Sequence, residues 1–432
     1  MNDPRDSDSE NRPVRPRRSR TTRFVVNALV GLASLVISLL LLEVSLRLLA
    51  PSSSTYSVLI PNLNAVLEPD ETIMPGISGP ARYSVNSQGI RGSEIRAGRS
   101  EYRILAVGGS TTECLYLDQS ETWPQLLQEK LAETSAIENI WVGDVGRSGT
   151  TARDHVVQLK HLADQIPDLE TVVVLVGVND LTVALKQGGE YRLPQPITEP
   201  EAEKIQSRKA FLLAPGRFHS PGTDYLLDPH APAFKRSATW QLLKRVRMVI
   251  ESRRGTNALA QDYHGTIYEV WRSHRQSAAE IREALPDLEL PLIEYRQNLN
   301  ALADIAESYG IQLTIMTQPS LWRDDLSAHE DSLLWLGGVG DFQSEPGRPY
   351  YSAAALARGM RAFNLALIQV AQDRGVDLLD LDTRVPKDLR FFFDDVHFTE
   401  EGARKVASVL ADHLSQRAPF SKPADSPDPT LQ

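Results

Sequence analysis

Residues 102 to 112 read Tyr102-Arg-Ile-Leu-Ala-Val-Gly-Gly-Ser-Thr-Thr112. Ile104 to Val107 is a short apolar run with the pattern of a buried strand. It stops at Gly108-Gly109 and presents Ser110. A helical pattern follows from about Glu121, after a Thr-rich turn. A serine just past the C-terminal end of a strand, beside glycines that leave room, stands where open α/β sheets hold their ligands. The same residues also suit a tight strand-to-helix turn capped by Ser110. Taken alone, the stretch supports nucleophile and turn equally.

Outward from this stretch, strands alternate with helices. The pattern predicts strands at 102–107, 139–145, 171–177, 311–316 and 376–381. It predicts helices at about 122–133, 152–165, 291–309, 353–374 and 400–416. Over 353–374, Leu356, Met360, Phe363, Leu367 and Val370 recur at helical spacing and form a core-facing stripe. Gly310 and Gly375 stand where left-handed helix caps belong. Such alternation implies a mainly parallel sheet covered on both faces, a three-layer α/β/α domain with a flavodoxin-like sheet. Residues 182–290 interrupt the rhythm with seven prolines between Pro194 and Pro232, followed by amphipathic stretches near 238–252 and 258–284. They read as an insertion, a lid or helical subdomain that shapes substrate access. Residues 320–350, with Trp322 and Trp335, also read as irregular.

The chain has 432 residues, 41% apolar and 24% charged, enough for a large globular core. Its single cysteine, Cys114, cannot form an internal disulfide and says nothing of the compartment. No basic residue neighbours it in sequence to lower its pKa, so it reads as a packed thiol. The nine histidines are scattered, and no Cys/His cluster has zinc spacing. Net charge is −10, but residues 1–23 carry seven arginines against four acids, which leaves −13 on the remainder. An acidic body argues against nucleic acid as a partner.

Residues 1–23 read as a disordered, basic cytoplasmic tail. Phe24 to Leu42 gives 19 residues without a charge, a helix of roughly 28 Å that can span a bilayer core. The helix continues through Glu43 to Arg47 with no small-residue cleavage site, so 24–49 reads as an uncleaved signal anchor. Arginines precede the span, and after Arg47 no Lys or Arg appears until Arg82. The positive-inside rule then places the rest outside the cytoplasm, in the periplasm of a two-membrane cell. Residues 50–82, rich in Pro, Ser and Gly, read as a linker. A strand and glycine turn over 83–94 lead into a domain running to 416, and 417–432 read as a disordered tail.

Three further polar blocks accompany the serine: Gly143-Asp-Val-Gly-Arg-Ser-Gly-Thr-Thr151 after the second strand, Val176-Gly-Val-Asn-Asp-Leu181 after the third, and Phe391-Phe-Phe-Asp-Asp-Val-His397 near the end. In a parallel sheet the blocks that follow strands converge at one edge. Their order and content resemble the SGNH/GDSL hydrolase superfamily, over about residues 83–416 with 182–290 outside the likeness. Ser110 matches its block one, Gly149 its block-two glycine, Gly177-Val-Asn179-Asp180 its block three, and Asp394-Asp-Val-His397 its block five. Trp123-Pro124 is also familiar there. The resemblance implies a Ser110–His397–Asp394 triad. It also implies an oxyanion hole from the backbone N–H of Ser110 and Gly149 and the side chain of Asn179, with no metal or organic cofactor. Two positions depart from the pattern: Gly109 replaces the usual Asp, and Asp144 stands where Asn is common. Asp395 also neighbours His397 and competes with Asp394. Ser148 and Thr111 are lesser nucleophile candidates. The implied activity, with the anchor, is a membrane-anchored, extracytoplasmic serine esterase acting on acetyl or other short acyl esters, of a carbohydrate or a lipid. An O-acyltransferase that modifies an envelope polysaccharide, or a non-catalytic binding protein, are the alternatives.

Overall fold

A computed structural model describes residues 20–49, 56–59, 61–96, 101–137, 139–194, 239–240, 243 and 264–421. The chain divides into two compact units. The first comprises residues 1–53 and 232–247. Its helix α1, Arg20–Leu49, contains a stretch, Phe24–Ser45, long and apolar enough to cross a membrane, and none of that stretch is buried in the protein. Near its end, Glu43 accepts the amide and hydroxyl of Thr239, both at 2.9 Å.

The second unit, 54–231 and 248–432, holds the sheet. Its elements are β1 (Asn64–Leu67), β2 (Ala81–Ser84), β3 (Tyr102–Gly108), α2 (Ser110–Glu113), α3 (Trp123–Thr134), β4 (Ile140–Asp144), α4 (Ala152–Gln165), β5 (Leu169–Leu175) and α5 (Val178–Gln187). They continue with α6 (Thr266–Gln276), β6 (Ile281–Arg282), α7 (Glu289–Tyr309), β7 (Gln312–Met316), α8 (Ala328–Ser332), β8 (Tyr350–Tyr351), α9 (Ala353–Arg374), β9 (Asp377–Leu379) and α10 (Glu400–Ser415). The main sheet has the order β4-β3-β5-β7-β9, with every pair parallel. This is the flavodoxin-like order, in which the first strand lies between the second and third.

Ile104 to Val107 and Val172 to Leu175 are wholly buried. Burial on both faces explains why these strands read as continuous apolar runs and not as alternation. Helices α3 and α10 pack together, while α4 packs on α7 and α7 on α9. The stripe on α9 is buried throughout, at most 4% exposed. At roughly 1.5–3 kcal/mol for each fully buried large apolar side chain, these faces hold the helices on the sheet. Gly310 and Gly375 adopt φ of 67° and 64°, the left-handed caps their sequence positions predict.

Two boundaries differ from the sequence reading. The segment read as a linker, 50–82, contributes β1, which pairs antiparallel with β2, and buries Tyr56, Leu67, Met74 and Ile77 in the core. Proline, serine and glycine there mark turns between docked residues. The tail read as beginning at 417 is still packed at Phe420, 1% exposed, whose ring meets Tyr102 edge-on at 4.9 Å. Within the 182–290 segment, residues 182–194 and 264–290 belong to the second unit, with α5 continuing to Gln187 and α6 packed into the core. Most of 195–263, including the amphipathic stretch near 238–252, lies outside the described residues.

Candidate active site

The polar blocks meet at the C-terminal edge of the sheet. Ser110 opens α2 directly after β3, and Asn179 lies in the first turn of α5 after β5. These two strands flank the switch point at which the strand order reverses. Gly109 is required by proximity, since a Cβ there would come within 2.4 Å of Asn179 Nδ2. The Asp expected at this position would displace Asn179. The turn is pinned from behind by the fully buried Trp123, whose indole N–H donates to Thr111 O at 3.0 Å.

A continuous chain of hydrogen bonds starts at Ser110. Its Oγ lies 2.7 Å from His397 Nε2, and His397 Nδ1 lies 2.7 Å from Asp394 Oδ2. The second carboxylate oxygen of Asp394 accepts the backbone N–H groups of Val396 and His397 at 2.9 and 2.8 Å. The acid thus folds its own histidine into a tight turn, as short Asp side chains do. Trp335 adds a fourth bond to this carboxylate, its indole N–H donating to Asp394 Oδ2 at 2.8 Å. Burial would raise the Asp394 pKa, but the facing imidazole and these donors hold it below the usual carboxylate value. Burial likewise opposes charge on His397, but the charge and hydrogen bond of Asp394 outweigh it and raise the imidazole above 6.5.

Asp395 has another task. It is fully buried and accepts Trp322 Nε1 at 2.7 Å, Trp335 N at 2.7 Å and Leu336 N at 3.1 Å. Burial and then the neighbouring Asp394 raise its pKa. These three bonds all go to the tryptophan-bearing segment, so Asp395 anchors Trp335 in place. Asp395→Ala leaves three buried donors unpaired, at about 1–3 kcal/mol each. The expected result is a loss of about 3 kcal/mol or more in denaturant unfolding. Unchanged stability would contradict this role.

Gly149 follows β4 with φ of 73°, in the left-handed region. Ser110, Gly149, Asn179 and His397 line one cavity of about 260 Å³. Asn179 Nδ2 donates one hydrogen to Thr150 O at 2.8 Å, and the amide carries a second. The lesser candidates point elsewhere. The Ser148 hydroxyl donates to Glu113 Oε2 at 2.6 Å, and that of Thr111 to Gln318 Oε1 at 3.3 Å. Cys114 borders the cavity, but burial pushes its thiol up to about 12, far from a thiolate at neutral pH.

The remaining wall is apolar and aromatic. Trp271 of α6 stacks on Trp335 at 4.3 Å, and Tyr268 stands edge-on to both and to His397. Two buried arginines fix α6 to the surrounding loops. Arg272 donates to the carbonyls of Ile73, Leu333 and Phe393, and Arg275 to those of Leu336 and Tyr351. Through Ile267, Tyr268 and Trp271 this helix forms one wall of the cavity. None of Trp335, Tyr268, Trp271 or the two arginines was assigned a site role from sequence. Apart from contacts within α6, such as the Tyr268–Trp271 pair, these partners lie 59 or more residues away in the chain, beyond the reach of local pattern. Among the described residues no group of His, Cys, Asp and Glu is arranged to hold a metal ion.

A family model described as the GDSL-like lipase/acylhydrolase family matches residues 106–405. No curated protein matches the sequence. Solved structures similar to this chain include an acetylxylan esterase from Geobacillus stearothermophilus, 13% identical, covering 74% of this chain and 96% of that one, with a TM-score of 0.37. A member of the lipolytic protein G-D-S-L family from Veillonella parvula is 10% identical, covering 73% and 100%, with a TM-score of 0.37. An α/β hydrolase from the metagenome of Lake Arreo is 12% identical, covering 74% and 96%, with a TM-score of 0.36.

Proposed function

The chain belongs to the GDSL-like lipase/acylhydrolase family and is an ester hydrolase, and we propose that it works through a covalent acyl-enzyme on Ser110. The observation that carries this reading is the unbroken Ser110–His397–Asp394 line, two contacts of 2.7 Å each. His397 removes the Ser110 proton as Oγ attacks the ester carbonyl, and the imidazolium is held by Asp394. The oxygen of the tetrahedral intermediate sits among Ser110 N–H, Gly149 N–H and Asn179 Nδ2, which line the same cavity. His397 then returns the proton to the departing alkoxide. Water, deprotonated by the same imidazole, attacks the acyl carbonyl and releases the acid. The test is labelling of the full-length protein by a fluorophosphonate. Adduct at Ser110 is expected, and no adduct at Ser110 would remove the proposal.

The acyl group enters the apolar part of the cavity, beside Leu115, Leu117, Ile267, Trp271 and Trp335. An apolar cavity of roughly 150 Å³ already holds a benzene ring, so this one has room for more than acetyl. Across p-nitrophenyl acetate, butyrate and hexanoate, kcat/KM is expected to rise, about tenfold or more for two added methylenes at roughly 0.8 kcal/mol each. A steady fall from acetate onward would contradict an acyl role for this wall.

We further propose that Phe24–Ser45 anchors the enzyme in the cytoplasmic membrane as a single span. The arginine-rich residues 1–23 would then lie on the cytoplasmic side and the catalytic unit outside. Protease added to intact spheroplasts should digest the catalytic unit and spare an N-terminal epitope. Protection of the catalytic unit would reverse the orientation.

A further inference from the structure

Glu113 lies one helical turn past Ser110, is 1% exposed and lies outside the cavity lining. Its Oε2 accepts both the backbone N–H and the hydroxyl of Ser148, at 2.8 and 2.6 Å. Its Oε1 accepts the hydroxyl of Tyr83 at 3.2 Å. Ser148 immediately precedes Gly149. The loop presses against α2 just here, since a Cβ on Gly146 would come within 2.2 Å of Glu113 N. The turn bearing Glu113 is itself held by the buried Arg91, whose guanidinium donates to the carbonyls of Glu113, Cys114 and Leu117. Arg91 and Tyr83 both come from the N-terminal part of the domain, Tyr83 from β2 and Arg91 from the turn after it.

We propose that Glu113 is a positioning residue for the oxyanion loop, turning the Ser148 N–H inward so that the next amide, Gly149 N–H, faces the reacting carbonyl. Residues 56–94 thereby become part of the active-site scaffold, through Tyr83 and Arg91. This inference rests on the acyl-enzyme reading above, in which Gly149 supplies an oxyanion donor. A backbone amide swung out of line acts as a lost donor, and losing one such donor lowers kcat by on the order of 10²–10³. Partial misalignment therefore predicts a loss on the order of 10- to 100-fold.

The geometry distinguishes hydrogen bonding from charge. A glutamine can turn its carbonyl oxygen to both Ser148 donors and its amide to the Tyr83 oxygen, so it preserves the arrangement without the charge. Aspartate keeps the charge but is one methylene short. Leucine removes the acceptors at similar volume.

The test is steady-state hydrolysis of a p-nitrophenyl ester by the full chain, with the affinity of an arylboronic acid, whose tetrahedral adduct on Ser110 puts an oxygen in the oxyanion position. Glu113→Leu and Glu113→Asp are expected to lose 10- to 100-fold in kcat with KM within a factor of about 3, and to bind the boronate correspondingly more weakly. Glu113→Gln is expected to stay within about threefold of the parent in both. If Glu113→Leu does not fold, Glu113→Asp carries the test. A folded Asp variant with parental kcat and boronate affinity would overturn the proposal. So would a Gln variant as weak as the Asp variant, because charge would then be what matters. Ser110→Ala, assayed beside them, separates the two levels: if it keeps parental activity, the acyl-enzyme reading has failed before Glu113 is judged.

Discussion

Ser110→Ala is expected to lower kcat/KM for a p-nitrophenyl ester by at least about 10⁴-fold, leaving only what the oxyanion donors and binding supply over water. Ser110 Oγ is the atom 2.7 Å from His397 Nε2, and both side chains border the cavity. The neighbouring hydroxyls do not substitute for it. Ser148 is bonded to Glu113 and Thr111 faces Gln318. The fold should survive, because the Ser110 hydroxyl contacts His397 while the N-cap position of α2 is held by Gly109, and alanine is a good helix former. A folded alanine variant with activity within tenfold of the parent would exclude Ser110 as the nucleophile.

Asp394→Asn is expected to cost about 10⁴-fold in kcat and to move the acid limb of the pH profile downward. Each Asp394 oxygen faces two N–H donors: His397 Nδ1 and Trp335 Nε1 on one side, the amides of Val396 and His397 on the other. An asparagine must aim its NH₂ at one of these pairs. Aimed at the imidazole, it places the histidine proton on Nε2, where it cannot accept from Ser110. Aimed at the backbone, it opposes two donors and breaks the turn that carries His397. The sign of the pH effect follows from the parent. Attack needs the neutral imidazole, and burial outweighed by Asp394 raises the His397 pKa above 6.5. The kcat/KM of the parent therefore falls as pH drops through a midpoint above 6.5. With the carboxylate gone, burial favours the neutral ring and the residual activity should persist to lower pH. A parent midpoint at or below 6.5, or an Asn variant with an unmoved limb, would contradict this account of the pair.

Much of the architecture could be read from the chain, because the central strands are buried on both faces and therefore announce themselves as apolar runs. Ile104–Val107 and Val172–Leu175 are examples, and the glycines after α7 and α9 marked where those helices stop. The residues named from the polar blocks, Ser110, Gly149, Asn179, Asp394 and His397, lie together because each block ends or follows an element that delivers it to one sheet edge. The choice between Asp394 and Asp395 was open in sequence. It turns on donors from Trp322, Trp335 and Leu336, which local pattern does not reveal. The same holds for residues 61–82. Their composition is that of a linker, yet Met74 and Ile77 dock in the core and the chain beyond them carries Tyr83 and Arg91 to Glu113 and the turn that bears it. Arg91, Glu113 and Arg272 were invisible as structural residues for a related reason. A charge in sequence reads as solvated, and only tertiary partners, mostly backbone carbonyls and amides, make its burial tolerable.

The most direct test of the acyl-enzyme is mass spectrometry of the protein quenched in acid during turnover of a p-nitrophenyl ester, followed by peptide mapping. The expected result is the mass of one acyl group on Ser110, lost on further incubation and absent in Ser110→Ala. Acylation confined to another residue, such as Ser148, or turnover with no acylated peptide at any time point, would contradict it.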